Sequence, residues 1–172
     1  MKLLGAAVVL LALAALPAGA GQARAAEPQS RFVLASPAFR AGGLIPKVYT
    51  CDGAQRIVPL RWSGVPRGTH SFALLVQDPD APSGTFTHRV AWGIGAGIRS
   101  LGRSAPREGT TSAGRTGWVG PCPPSGAHRY VFRLYALRSP LPLRGGADLP
   151  AFLAALKGRV LGTAVLIGRY AR

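Results

Sequence analysis

The apolar positions of this chain fall mostly into short runs bounded by glycine, proline and aspartate, the pattern expected of strands. Residues 31–36 (RFVLAS) form one such run, and residues 58–66 (VPLRWSGVP) alternate before breaking at Gly64-Val65-Pro66. Residues 70–80 (HSFALLVQDPD) begin as a buried strand and stop at Asp78-Pro79. Residues 86–95 (FTHRVAWGIG) and 128–138 (HRYVFRLYALR) are rich in β-branched and aromatic side chains. From 96 to 117 the chain is rich in Gly, Ser, Thr and Arg and reads as loop. One segment, 148–158 (DLPAFLAALKG), carries helix signals: Asp148 can cap it, Pro150 suits its first turn and Gly158 its end. Residues 160–170 (VLGTAVLIGRY) read as a last buried strand, and no repeat is visible. The class is mainly β, with a short helix near the C-terminus.

The N-terminus departs from this pattern. Met1-Lys2 is a short positive start, residues 3–16 are apolar, and small residues follow, with Ala23-Arg24-Ala25 fitting an A-x-A cleavage site. Together these predict a secretory signal peptide over 1–25, with cleavage after Ala20 as the alternative. A mature domain over 26–172 would then be exported, to a periplasm or the medium, without a membrane span. Export changes the meaning of Cys51 and Cys122, the only two cysteines. In a compartment that permits disulfides they are expected to pair; two unpaired thiols are the alternative.

A length of 172 residues fits one domain, and 48% apolar residues suffice for a core. The 21 Lys and Arg against 6 Asp and Glu give a formal charge of +15, nearly all of the excess being arginine. The plain reading is a composition bias with a solvated basic surface. The sharper one is attraction of acidic partners or anionic lipid headgroups. No basic run is interleaved with aromatics, so the pattern gives no support for nucleic-acid binding.

Two of the six acids, Asp78 and Asp80, sit together in DPDAP, and His88 follows eight residues after Asp80. His128 begins the strand that follows the proline-rich GPCPPSG, and Tyr130 lies two residues on. Strand ends beside rigid turns can gather such side chains around one pocket. Duller readings stand beside this one. Aspartates in Asp-Pro turns bond nearby backbone N–H groups, and for Asp80 that structural role is the stronger reading. His70 belongs to a turn, either pocket histidine alone could be a half-buried structural one, and Tyr130 alone would be core.

The stretches YTCDG (49–53), PLRWSGVPRGTHSFALLVQDPDAPSGTFTH (59–88), GRTGWVGPCPPSGAHRYVFRLYAL (114–137) and the C-terminal GRVLGTAVLIGRY resemble the phosphatidylethanolamine-binding protein (PEBP) family, in its bacterial Raf kinase inhibitor-like branch. The resemblance implies a large antiparallel sheet packed on a smaller one. It also implies a small pocket for a phosphate-type anion or a phospholipid headgroup, formed here by Asp78, His88, Pro123, Pro124, His128 and Tyr130, with Asp80 close by. The prolines would make its rigid rim and remove N–H donors. Departures from the family pattern are Arg89 in place of an aromatic, Gly93 and Gly95 in place of asparagine and proline, Trp118-Val119 in place of Tyr-Gly, and IVPL (57–60) without a serine.

Three function classes follow. The first is a non-enzymatic binder of a phosphate-type anion or lipid headgroup that could regulate or inhibit a protein partner; it needs no cofactor and no metal. The second is a hydrolase using the Asp/His cluster, although no G-x-S-x-G elbow exists and neither Ser112 nor Ser125 has an evident base. The third is a metal site of His88, His128 and Asp78, a known ligand set that the family resemblance argues against.

Overall fold

The computed structural model describes residues 31–103 and 105–172. The expected signal peptide, 1–25, lies outside the described residues, as do the first residues of the expected mature domain. Among the described residues the strands form two antiparallel sheets. The small sheet has the order β1 (Val33–Ala35), β2 (Leu60–Ser63), β5 (Ser100–Leu101). The large sheet runs β6 (Arg107–Glu108), β4 (Phe86–Gly95), β3 (Ser71–Asp78), β7 (Ala127–Leu137), β8 (Val160–Ala171). The helix α1 (Leu149–Leu156) connects β7 to β8 in sequence. The mainly β expectation, with a large and a small sheet and one short helix near the C-terminus, is what the chain adopts. The expected loop over 96–117 also contains β5 and β6, each only two residues long and too short to show any periodicity.

β3 explains the layering. Its alternate residues Phe72, Leu74 and Val76 enter the main core with Leu34, Trp62 and Phe132. Ala73 and Leu75 point the other way and pack with Val90, Trp92 and Phe152 of α1. A central strand covered on both faces must be apolar at nearly every position, which is why HSFALLVQDPD reads as a continuous run. α1 starts where the sequence predicts: the Asp148 carboxylate accepts from Ala151 N at 2.8 Å, satisfying one of the free N–H groups of the first turn. No helix among the described residues is long and apolar enough to cross a membrane.

β4 carries two irregularities in its ladder with β3. Phe72 pairs with Ile94 and Leu74 with Ala91, so β4 spends one residue more than β3; Gly93, at φ 75°, takes up the kink. Lacking a Cβ, it reaches that conformation without strain. Val76 pairs with Arg89 and Gln77 with Thr87, so His88 is the extra residue of a second bulge. Next to it Arg89, 1% exposed, donates from Nη2 and Nε to the Glu108 carboxylate at 2.6 and 3.3 Å, and from Nη2 to the Arg103 carbonyl at 2.9 Å. Glu108 also accepts from Ala105 N. An arginine thus stands in an interior position because β6 supplies its counterion.

Candidate functional site

The antiparallel order brings the end of β3 beside the starts of β4 and β7. At this edge lies a cavity of about 520 Å³, lined by Asp78, Phe86, His88, Ser112, Pro124 and His128 among others. Asp78, at the last position of β3, is buried, and both of its oxygens are engaged. Oδ1 accepts from Asp80 N at 2.8 Å, closing the turn, and Oδ2 lies 2.7 Å from His128 Nδ1. His128 therefore donates from Nδ1 to a carboxylate, and Nε2 is its uncommitted ring atom.

His88 is held differently. Its Nδ1 lies 2.8 Å from the Val119 carbonyl oxygen, and Val119 N donates back to the His88 carbonyl at 3.0 Å. The bulge residue, unpaired in the sheet, thus finds its backbone partner in the segment leading to the proline-rich loop. Phe86, Tyr130 and Trp118 surround the imidazole, with ring centroids at 4.8, 5.1 and 6.5 Å. Burial among these rings pushes the His88 pKa below the ordinary histidine value, against the smaller opposing pulls of the Val119 carbonyl and the Asp78 charge.

The rim is tied down from several sides. Cys122, on the cavity wall, is disulfide-bonded to Cys51, with 5.4 Å between their Cα atoms. Cys51 N donates to the Pro121 carbonyl at 3.0 Å. A Cβ on Gly120 would lie 2.9 Å from the Tyr49 carbonyl oxygen, so only glycine lets the rim approach the 49–53 turn this closely. Asp52 in that turn accepts from Tyr170 Oη at 2.7 Å and pairs with Arg172 at 3.2 Å. Gly126 and Arg172 exchange backbone hydrogen bonds beside them.

Of the residues expected to form a pocket, Asp78, His88, Pro124 and His128 share the cavity wall. Three are placed elsewhere. Asp80 turns to Arg129, accepting from its backbone N at 2.8 Å and from its guanidinium at 2.6 and 2.9 Å, and this pairing holds its carboxyl well below the usual range. The turn-closing role expected of Asp80 falls to Asp78. Pro123 is buried behind the rim, away from the lining. Tyr130 lies beneath the site: its ring supports His88 edge-on, and its hydroxyl is sealed from solvent without a hydrogen-bond partner. The Cys122 N–H approaches that oxygen without reaching hydrogen-bond geometry; burial, aided by the Asp78 charge, pushes the phenol above its ordinary range.

The sequence reading missed Phe86 and Val119, and it weighed Ser112 only as a nucleophile, not as a residue of the cavity wall. Ser112 sits in the Gly- and Arg-rich loop and accepts from Thr87 N at 2.8 Å. Val119 acts through its backbone, so no side-chain pattern could have revealed it. Among the described residues no group of three or more His, Cys, Asp or Glu is arranged to hold a metal.

Residues 35–171 match the family model described as phosphatidylethanolamine-binding protein. A protein of Methanothermobacter thermautotrophicus described only as "UPF0098 protein" is 45% identical over 148 residues, covering 81% of this chain and 98% of its own. An Aquifex aeolicus protein of the same description is 42% identical, covering 80% and 86%. The crystal structure of a PEBP homologue, CT736 of Chlamydia trachomatis, superposes with a TM-score of 0.79 at 36% identity, covering 82% of this chain and 97% of that one. The structure of YbcL of E. coli, described as a member of the mammalian PEBP family, gives 0.76 at 28% identity over 82% and 98%.

Proposed function

This chain belongs to the phosphatidylethanolamine-binding protein family, and on that footing we propose that its cavity binds a phosphate-type oxyanion, free or as a headgroup, without turning it over. The observation that carries this reading is the placement of His128. Its Nδ1 is anchored on a buried carboxylate, which leaves Nε2 to meet a ligand on the cavity wall. In the bound state that ring donates from Nε2 while Nδ1 stays on Asp78, so ligand and carboxylate flank one imidazolium. The Asp78 charge then serves as foundation for a donor and need not touch the anion it would repel. Pro124 and the disulfide hold the rim open at fixed width, so little ordering remains for binding to impose.

We further propose that the protein acts outside the cytoplasm after removal of residues 1–25. The Cys51–Cys122 disulfide supports this, because such bonds persist in oxidising compartments.

Calorimetric titration of the mature protein with inorganic phosphate and phosphoethanolamine tests the binding reading. His128→Ala should weaken both by about 1.5–3 kcal/mol, the scale of a hydrogen bond to a charged group. Unchanged affinity in a folded variant would remove the cavity as the site. One observation favours a second reading: an aspartate–histidine pair is also an acid–base dyad. Turnover of a phosphoester or acyl ester that is lost in His128→Ala would establish it.

A further inference from the structure

We propose that this site accepts a phosphoryl group only when it carries a proton, as in a monoprotonated phosphate or phosphomonoester, and rejects an oxyanion without one. The proposal rests on the reading of the cavity as an oxyanion site and narrows its ligand to free phosphate or a phosphomonoester, setting aside the diester headgroup of an intact phospholipid.

The argument begins with His88. A carbonyl oxygen can only accept, so the 2.8 Å contact with Val119 assigns the His88 proton to Nδ1. The reciprocal bond from Val119 N holds that carbonyl in place, so ring and acceptor cannot easily trade roles. A neutral imidazole has one N–H, and it is now used. Nε2 is left with a lone pair; it has no partner among the described residues, yet it is not sealed from solvent, on a side chain that lines the cavity. Burial against Phe86, Tyr130 and Trp118 favours the neutral ring. Asp78 is the charged group that acts on it, and its opposing effect is the smaller.

The wall therefore mixes two kinds of partner. His128, with Nδ1 on the Asp78 carboxylate, donates from Nε2 as the imidazolium that pairs with it, and the Ser112 hydroxyl, whose oxygen already accepts from Thr87 N, can donate too. His88 Nε2 accepts. An oxyanion held by the donors brings a negative oxygen toward the His88 lone pair, and the two repel unless a proton lies between them. A P–OH group supplies that proton. Sulfate, fully ionised near neutral pH, does not, and neither does a phosphodiester. Phosphomonoesters lose their second proton near pH 6, so both forms are present in the working range.

Four probes separate the possibilities at pH 6 by calorimetry: inorganic phosphate, phosphoethanolamine, glycerophosphoethanolamine and sulfate. Phosphate and phosphoethanolamine should bind at least about tenfold more tightly than sulfate, the factor expected when a buried acceptor is left unpaired. The diester should bind as poorly as sulfate. Sulfate equal to phosphate would overturn the proposal, and so would a diester equal to phosphoethanolamine, because the ammonium would then be the donor. If none of the four binds, the oxyanion reading has itself failed. His88→Gln places an amide that can donate, so its phosphate-to-sulfate preference should collapse toward one. Nitrogen NMR of the native protein needs no variant: His88 Nε2 should be unprotonated without ligand, and a proton on Nε2 would end the proposal.

Discussion

His128 Nδ1 and Asp78 Oδ2 lie 2.7 Å apart although fifty residues of chain separate them. This contact joins the second residue of β7 to the last residue of β3, and it makes Asp78 a positioning residue. Asp78→Asn keeps a hydrogen-bonding group but removes the second carboxylate oxygen and the charge. Inorganic phosphate and phosphoethanolamine should weaken together, by about tenfold or more, the loss expected for a charged hydrogen bond. A selective loss of phosphoethanolamine in calorimetry would show instead that Asp78 meets the ligand's amine.

His88 should make stability depend on pH. Folded His88 binds its proton less readily than an unfolded histidine, since burial opposes the charge. Its contribution is therefore complete above the unfolded value, about 6.5, and is lost as pH falls below it. Denaturant midpoints measured at pH 7.5 and pH 5 should differ more in the native protein than in His88→Asn. Equal differences would mean that His88 is readily protonated in the folded state.

Replacing Cys51 and Cys122 together by serine should act twice. The disulfide spans 71 residues of sequence, and the chain-entropy estimate for such a loop is roughly 4 kcal/mol, with measured effects between about 0 and 5. Because Cys122 is also on the cavity wall, phosphate affinity should fall in the folded variant. Thiol labelling of unfolded, unreduced native protein should find no free cysteine; two labels per chain would refute the pairing.

Glu108→Ala should be among the more damaging substitutions away from the site. It leaves the Arg89 guanidinium buried without its carboxylate and frees Ala105 N as well. Breaking one side of a buried pair costs about 3–5 kcal/mol, whereas Arg89→Met with Glu108→Leu should cost far less. Chemical denaturation of the single and double variants gives the comparison.

The long elements were legible because each has one dominant signal. β3 is apolar on both faces, α1 has its Asp148 cap, and β7 is rich in β-branched and aromatic residues. β8 was legible as a strand but not as an edge: it buries Ala164, Leu166 and Gly168 and leaves Val165 and Ile167 exposed, where the sequence predicts a strand buried throughout. β5 and β6 were not, since two residues have no period and exist as strands only through their partners Leu60, Arg61, Ala91 and Trp92. Residue type singled out Asp78, His88 and His128, because acids and histidines are scarce in this chain. Orientation was not legible. Asp80 faces Arg129 only because β7 brings residue 129 to it, and the Val119 carbonyl that fixes the His88 tautomer carries no side-chain signature. Arg89, a departure from the family pattern by residue type, is explained by Glu108 on a strand that could not be foreseen.

The bulge at His88 separates two inheritances that share one strand. β3 and β4 pair from Ser71–Gly95 at one end to Asp78–Phe86 at the other across two bulges, and His88, the extra residue of the second, has no partner on β3. A chain lacking this single residue could zip the same two strands together and keep Arg89 opposite Val76. It would have the sheet, and the Asp78–His128 pair, without the acceptor that His88 brings to the cavity wall. Loss of function by a one-residue deletion, with the scaffold spared, is therefore open to this architecture at that position, and insertion of one residue is the complementary route by which a plain hairpin could have gained it.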